Sequence, residues 1–234
     1  MPALPNVRRR ATRLVAVRAM TLALAIAVAA CGLAPLGSQA APVAGSGDTV
    51  TENRTTDVFS HVSVAIGARV VIRMASQTGV TLEAQANLQP LIKTTITDGQ
   101  LVVSADAPGI AGTEPIVLTI STPTLSSVSL SAGAVGTLEA EGRPIAIDVS
   151  AGASIIAIGS IEALEITAST GATANLEEFA ATSAKVKLTG SGVVTINVSG
   201  NVTGEADAGS TLVLIGKPAS VDVTTSGGAT VQGG

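Results

Sequence analysis

Four pairs of carboxylates lie close together in the second half of the chain: Glu139 with Glu141, Glu162 with Glu165, Glu177 with Glu178, and Glu205 with Asp207. Two carboxylates held about 5 to 10 Å apart can cleave a glycosidic bond, one as acid and the other as base or nucleophile. That chemistry also needs a surface to hold the sugar, and the sequence has no Trp and no Tyr to stack against a ring. The pairs fall on polar strand faces and in turns, where solvated charge is the ordinary state. A polysaccharide-active enzyme therefore stands as an alternative to a non-enzymatic reading.

Other chemistry has less to work with. His61 is the sole histidine, in Phe59-Ser60-His61-Val62-Ser63 on the first expected strand. A histidine-based triad would have to use it, and its place predicts an exposed or capping residue at the end of the fold. One His, one Cys and scattered acids supply no zinc-ligand spacing, and no calcium-loop motif is present. The sequence assigns no catalytic, cofactor-binding or metal-binding residue, and it implies no cofactor.

Cys31, the single cysteine, has a different chemistry. Five arginines within residues 1–30 precede the apolar run from Ala19 to Ala30, which is short for a bilayer span and suits a secretory signal. Val28-Ala29-Ala30-Cys31-Gly32 looks like a bacterial lipobox, with cleavage before Cys31 and lipidation of that residue. The alternatives are ordinary signal cleavage after Ser38-Gln39-Ala40 and an uncleaved anchor. Residues 31–54, rich in Ala, Pro, Gly, Ser and Thr, read as a flexible tether. With no cysteine after position 31, the exported domain has no internal disulfide.

Beyond residue 30 the chain holds eight basic and seventeen acidic residues. An acidic body without basic stripes or stacking aromatics excludes the usual nucleic-acid binders and charge-driven attachment to anionic lipid. Any membrane contact is expected through a lipid at Cys31.

The elements that must position these groups announce themselves by repetition. A small polar residue, any residue and a glycine recur in Ser131-Ala132-Gly133, Ser150-Ala151-Gly152, Ser169-Thr170-Gly171, Gly190-Ser191-Gly192, Asp207-Ala208-Gly209 and Thr225-Ser226-Gly227. Apolar residues alternate between them, as in Ile145, Ile147 and Val149, which is the period of a half-buried strand. Short strands closing on a small-residue corner every 19 or so residues predict an all-β, right-handed parallel β-helix over residues 55–234. The corner glycines Gly133, Gly152, Gly171, Gly192, Gly209 and Gly227 are expected to form a stacked ladder, glycine accepting positive φ without steric cost. Residues 55–130 alternate with less regular punctuation and read as the first coils plus an excursion, with a loop between Ala105 and Pro115. Asp98-Gly99 is the one clear hairpin signal.

The Ser-Ala-Gly-Ala and Ser-Thr-Gly-Ala corners, Asn87-Leu88, Thr97-Asp98-Gly99-Gln100-Leu101 and Gly216-Lys217-Pro218 together resemble the putative auto-transporter adhesin, head GIN domain family (DUF2807). The resemblance covers about residues 55–234. It implies an exported bacterial β-helical domain, often on lipoproteins, with a role in adhesion, and it brings no catalytic or ligand-binding residues. The chain departs from the family pattern at Leu214-Ile215, where an aromatic commonly precedes the terminal Gly-x-Pro.

These readings converge on a non-enzymatic, adhesin-like module of the cell envelope whose partner is an envelope polymer or protein. A structural, self-assembling module is the second reading, since the final residues 226–234 offer no capping helix or charged edge, so that a homo-oligomer is expected there.

Overall fold

Alternating β-branched and small aliphatic residues leave little choice but strands, and the computed structural model of the protein is built almost wholly from them. It describes residues 41–234 apart from residues 55 and 108. The expected signal segment 1–30, Cys31 and the cleavage site at Ala40 lie outside the described residues. The described residues from 41 onward form a compact unit with its own core.

The opening section comprises β1 (Val43–Ala44), β2 (Thr49–Arg54), β3 (His61–Val64), β4 (Arg69–Met74), β5 (Gly79–Gln85), a single 3-10 turn (Gln89–Leu91), β6 (Ile92–Thr97), β7 (Gln100–Ala105), β8 (Ile110–Ala111) and β9 (Val117–Thr122). The repeating section follows as β10 (Ser127–Leu130), β11 (Val135–Gly142), β12 (Ile145–Val149), β13 (Ser154–Ala168), β14 (Thr173–Leu188), β15 (Val193–Val198), β16 (Asn201–Ala206), β17 (Thr211–Ile215), β18 (Ser220–Thr225) and β19 (Thr230–Gly233).

In the repeating section every pairing is parallel, and each coil contributes one strand to each of two walls. The first wall runs β10, β12, the second half of β13, the second half of β14, β16 and β18. The second runs β11, the first halves of β13 and β14, β15, β17 and β19. Register gives coil lengths of 19, 19, 20, 18 and 19 residues along the first wall, from Ser127 through Ala146, Glu165, Lys185 and Thr203 to Asp222. The expected β-solenoid with coils of about 19 residues is therefore the observed fold.

Inward residues stack as ladders between the walls. Val62, Val128, Ile147, Ile166 and Val186 form one column and Ile72, Leu138, Ala157, Leu176, Ile196 and Leu214 face it, all buried. Each buried Val, Ile or Leu contributes about 1.5–3 kcal/mol, so small aliphatics suffice without an aromatic core. The two phenylalanines, Phe59 and Phe179, are both fully buried. Where β13 bends from one wall into the other, Gly159 has φ 134° and any β-carbon would run into the backbone carbonyl of Ala140.

The opening section departs from the expected simple coils. β3 and β4 make a coil that pairs with β10 and β11, but the coil beyond it is made by β7 and β9, which come later in the chain. β6 pairs antiparallel with β7 through the Asp98-Gly99 hairpin, β5 antiparallel with β9, and β2 antiparallel with β5. Alternation alone cannot reveal this order, because parallel and antiparallel strands with one buried face share the same period. Three antiparallel strands thus close the N-terminal end.

The flexible tether expected over 31–54 is corrected from residue 43 onward. β1 pairs with β8 inside the loop of residues 106–116, and β2 pairs with β5 over six residues. Polar side chains sew this segment down: Asn87 accepts from Ser46 N at 2.8 Å and donates to the Ala44 carbonyl at 2.9 Å. The buried Gln85 donates to the Gly47 carbonyl at 3.3 Å and accepts from Thr113 N at 2.9 Å. A composition of small polar residues suits an edge strand held by side-chain amides as well as it suits a linker.

Candidate binding faces

The corner joining the two walls is a tight turn with two successive residues of positive φ, the backbone of a primed type I turn. The pairs are Ala132-Gly133, Ala151-Gly152, Thr170-Gly171, Gly190-Ser191, Ala208-Gly209 and Gly227-Gly228. Each turn closes with an i to i+3 hydrogen bond, such as Ala153 N to the Ser150 carbonyl at 3.0 Å. Successive corners are stitched together, with Gly133, Gly152, Gly171, Ser191 and Gly209 each donating its N–H to a carbonyl of the next coil at 2.9–3.1 Å.

Two members of the expected ladder are corrected. Gly192 does not take the left-handed position; Ser191 does, at φ 65°. A one-residue bulge after Asn175 lengthens that coil, so Gly192 falls in the slot that Ala134, Ala153 and Ala172 occupy in their coils. Gly227 holds the first left-handed position and Gly228 the second, equivalent to Gly133. Gly133, Gly152, Gly171 and Gly209 hold the second left-handed position of their turns, at φ 71–73°.

The two walls present unlike outer faces. On the first wall one row passes from Gln100 through His61, Ser127 and Ala146 to Glu165 and Lys185. The next row carries Asp148, Thr167, Lys187 and Glu205. Glu165 pairs with Lys185 at 3.0 Å and Glu205 with Lys187 at 3.3 Å. These exposed bridges contribute at most about 1 kcal/mol each, so their role is to set the charge pattern. A shallow groove of about 420 Å3 crosses several coils here, with Ala146, Ala163 and Ser183 as floor and Glu165, Lys185 and Asn201 on its rim. Asp148, on the adjacent row, has its carboxyl held above the usual aspartate range by desolvation.

The candidate catalytic groups do not assemble. His61 is not at an end of the solenoid, because β7 and β10 flank β3. Its Nδ1 lies 2.7 Å from Ser127 Oγ, half-buried. Among the described residues no carboxylate hydrogen-bonds to either member, so the orienting group of a triad is missing. The acidic pairs are dispersed: Glu165 and Glu205 bridge lysines, Glu139 lies 3.4 Å from Arg73 on the second wall, and Glu177 and Glu178 ride on the β14 bulge.

The second wall has an outer face of another kind. From β11 to β19, one row reads Val135, Ser154, Thr173, Val193, Thr211 and Thr230, and the next Thr137, Ile156, Asn175, Thr195, Val213 and Gln232. No residue in either row is charged. Val135 and Ile156 are each 52% exposed, Ile158 45% and Val193 42%. The sequence signal for this face is Ile155-Ile156-Ala157-Ile158, a run that breaks apolar–polar alternation because both sides of the strand are aliphatic.

The family profile described as putative auto-transporter adhesin, head GIN domain, matches residues 58–218. The chain belongs to that family. This head GIN domain continues past the matched residues with a last coil, β18 and β19, that keeps the same corner. Among solved structures, a putative adhesin from Bacteroides fragilis NCTC 9343 is similar to it with a TM-score of 0.66 and 13% identity, over 81% of this chain and 99% of that one. A putative adhesin from Parabacteroides distasonis ATCC 8503 gives 0.54 and 13%, over 82% and 99%. One from Parabacteroides merdae ATCC 43184 gives 0.51 and 16%, over 81% and 98%. At these identities the likeness shows the head GIN fold alone. No curated protein matches the sequence.

Proposed function

We propose that this head GIN domain is an exported, non-enzymatic, adhesin-like binding module of the bacterial cell envelope, held to the membrane by a lipid on Cys31. The observation that carries the reading is the groove on the first wall. Its rim carries one carboxylate, one ammonium and an amide, Glu165, Lys185 and Asn201 on successive coils, over a floor of small residues. Such a surface suits an extended envelope polymer, or a protein segment, that offers hydroxyls and amides. Among the described residues the nearby Ser127 and His61 have no carboxylate hydrogen-bonded to them, and the adhesin names of the family and its structural relatives agree in kind with a binding role.

Co-sedimentation of residues 41–234 with peptidoglycan and with native envelope polysaccharide tests the proposal, the glycan being recovered and weighed by mass spectrometry. Saturable binding without cleavage, lost in Ala163→Arg, which fills the groove floor, is the expected result. Shortened glycan would replace the binding reading with an enzymatic one, and binding unchanged by Ala163→Arg would move the site off the groove. Metabolic labelling with a lipid precursor, compared with Cys31→Ala, tests the anchor.

A further inference from the structure

We propose that the first-wall groove takes a linear, uncharged, N-acetylated glycan laid along the solenoid axis, one sugar ring to each coil, with the backbone chemistry of a peptidoglycan strand. This deepens the proposed function and rests on its reading of the groove as the binding site.

The direction follows from the coils that line the groove. Ser126, Ala146, Ala163, Ser183 and Thr203 come from five successive coils, so the groove runs across the strands and parallel to the stack. Parallel strands step by about 4.8 Å from coil to coil, which makes the groove about 19 Å long. A ring in an extended β-1,4-linked glycan advances its chain by nearly the same step, so each sugar meets an equivalent place on the next coil. An extended peptide advances about 3.3 Å per residue and falls out of step with the coils at once.

Charge and hydrogen bonding narrow the class of glycan. Glu165 and Lys185 pair with each other at 3.0 Å, so the rim carries no net charge. Asp148 and Glu205 lie on the next row, Asp222 lies one coil beyond Thr203, and acids outnumber bases by seventeen to eight after residue 30. A polyanion is repelled by this field, and a polycation meets Lys185 and Lys187 on β14. An acetamido group is neutral and offers one N–H and one carbonyl. The Glu165 carboxylate accepts from the first, and Lys185 donates to the second. Asn201 is a further donor: its carbonyl already accepts from Ser220 Oγ at 2.9 Å, which leaves its NH2 for the ligand. The sequence has no Trp or Tyr and both phenylalanines are buried, so each ring is held weakly and affinity gathers with the number of coils engaged.

Titration of 15N-labelled residues 41–234 with β-1,4-linked N-acetylglucosamine oligomers of two to six rings, followed by amide chemical shifts, tests this. Cello-oligosaccharides serve as chains of the same linkage without the acetamido group. Affinity is expected to rise about threefold or more with each ring up to about five and then level off, with the shifts running along Ala146, Ala163 and Ser183. The cello series should bind about tenfold more weakly, and Glu165→Gln should weaken the acetylated series by about as much. Lys187→Gln, on the neighbouring row, should change neither, the amide spectra showing that both variants fold. Affinity that stops rising after two rings, or equal affinity for the two series, overturns the proposal. A domain that ignores both series yet binds a protein or an acidic polymer in a manner lost with Ala163→Arg also overturns it, and leaves the groove as the binding site. If no ligand is sensitive to Ala163→Arg, both readings fall.

Discussion

Ser210 occupies the buried slot after the corner that Ala134, Ala153 and Ala172 fill in other coils, and its hydroxyl has no hydrogen-bond partner. An unsatisfied buried hydroxyl is costly, so Ser210→Ala is expected to stabilise the fold by about 1 kcal/mol in urea unfolding. Ser191 is strained for a different reason, holding a left-handed conformation that a β-carbon disfavours. Ser191→Gly should gain up to about 1 kcal/mol, while Gly152→Ala at the equivalent corner should lose about as much. Asp148 adds a pH test. Its folded carboxyl holds a proton more tightly than the free side chain, so its ionisation weakens the fold as pH rises through the raised value. Asp148→Asn should therefore raise the Tm at pH 7 and leave it unchanged below the ordinary aspartate range, near pH 3.

At the level of elements, the β14 bulge shows what a sequence of this kind discloses and what it hides. Alternation and corner triplets revealed the strands, the coil length and four of the six ladder glycines. They could not reveal that one coil is a residue longer, because Gly192 follows Ser191 directly and mimics the motif one place late. The bulge is held by Asn175, which accepts from Glu177 N at 3.1 Å, and by Asn197, which donates to the Glu177 carbonyl at 3.0 Å. Phe179 fills the core behind it. Phe179→Ala should cost about 3–5 kcal/mol, read from the urea midpoint, since neighbouring coils cannot collapse into the space. The opening section was less legible still: its strand order depends on long-range pairings, and its N-terminal edge on side-chain amides. The groove and the uncharged face were hidden because neither depends on a motif; both arise from register, which places residues 19 or 20 apart side by side.

Across the whole molecule each coil touches its neighbours, and the two ends differ. The N-terminal end is covered by the antiparallel strands β2, β5 and β6, of which β2 and β6 are edge strands, while the parallel coil β18–β19 ends the stack with nothing laid over it among the described residues, Val221 being 44% exposed. In such a stack, unfolding starts where a coil has one neighbour. Hydrogen exchange should therefore be fastest in residues 220–233, slowest in the central coils, and intermediate in β2; equal protection at both ends would contradict the antiparallel closure. The corner ladder has a further consequence. Its five hydrogen bonds run from each coil to the next, while the residues flanking each corner donate the other way, as Ser150 N does to the Leu130 carbonyl and Ser154 N to the Ala134 carbonyl. Every corner is thus tied in both directions, so one coil cannot slip a residue past its neighbour without breaking bonds of both senses at once, and the register that aligns the outer rows is locked at this edge.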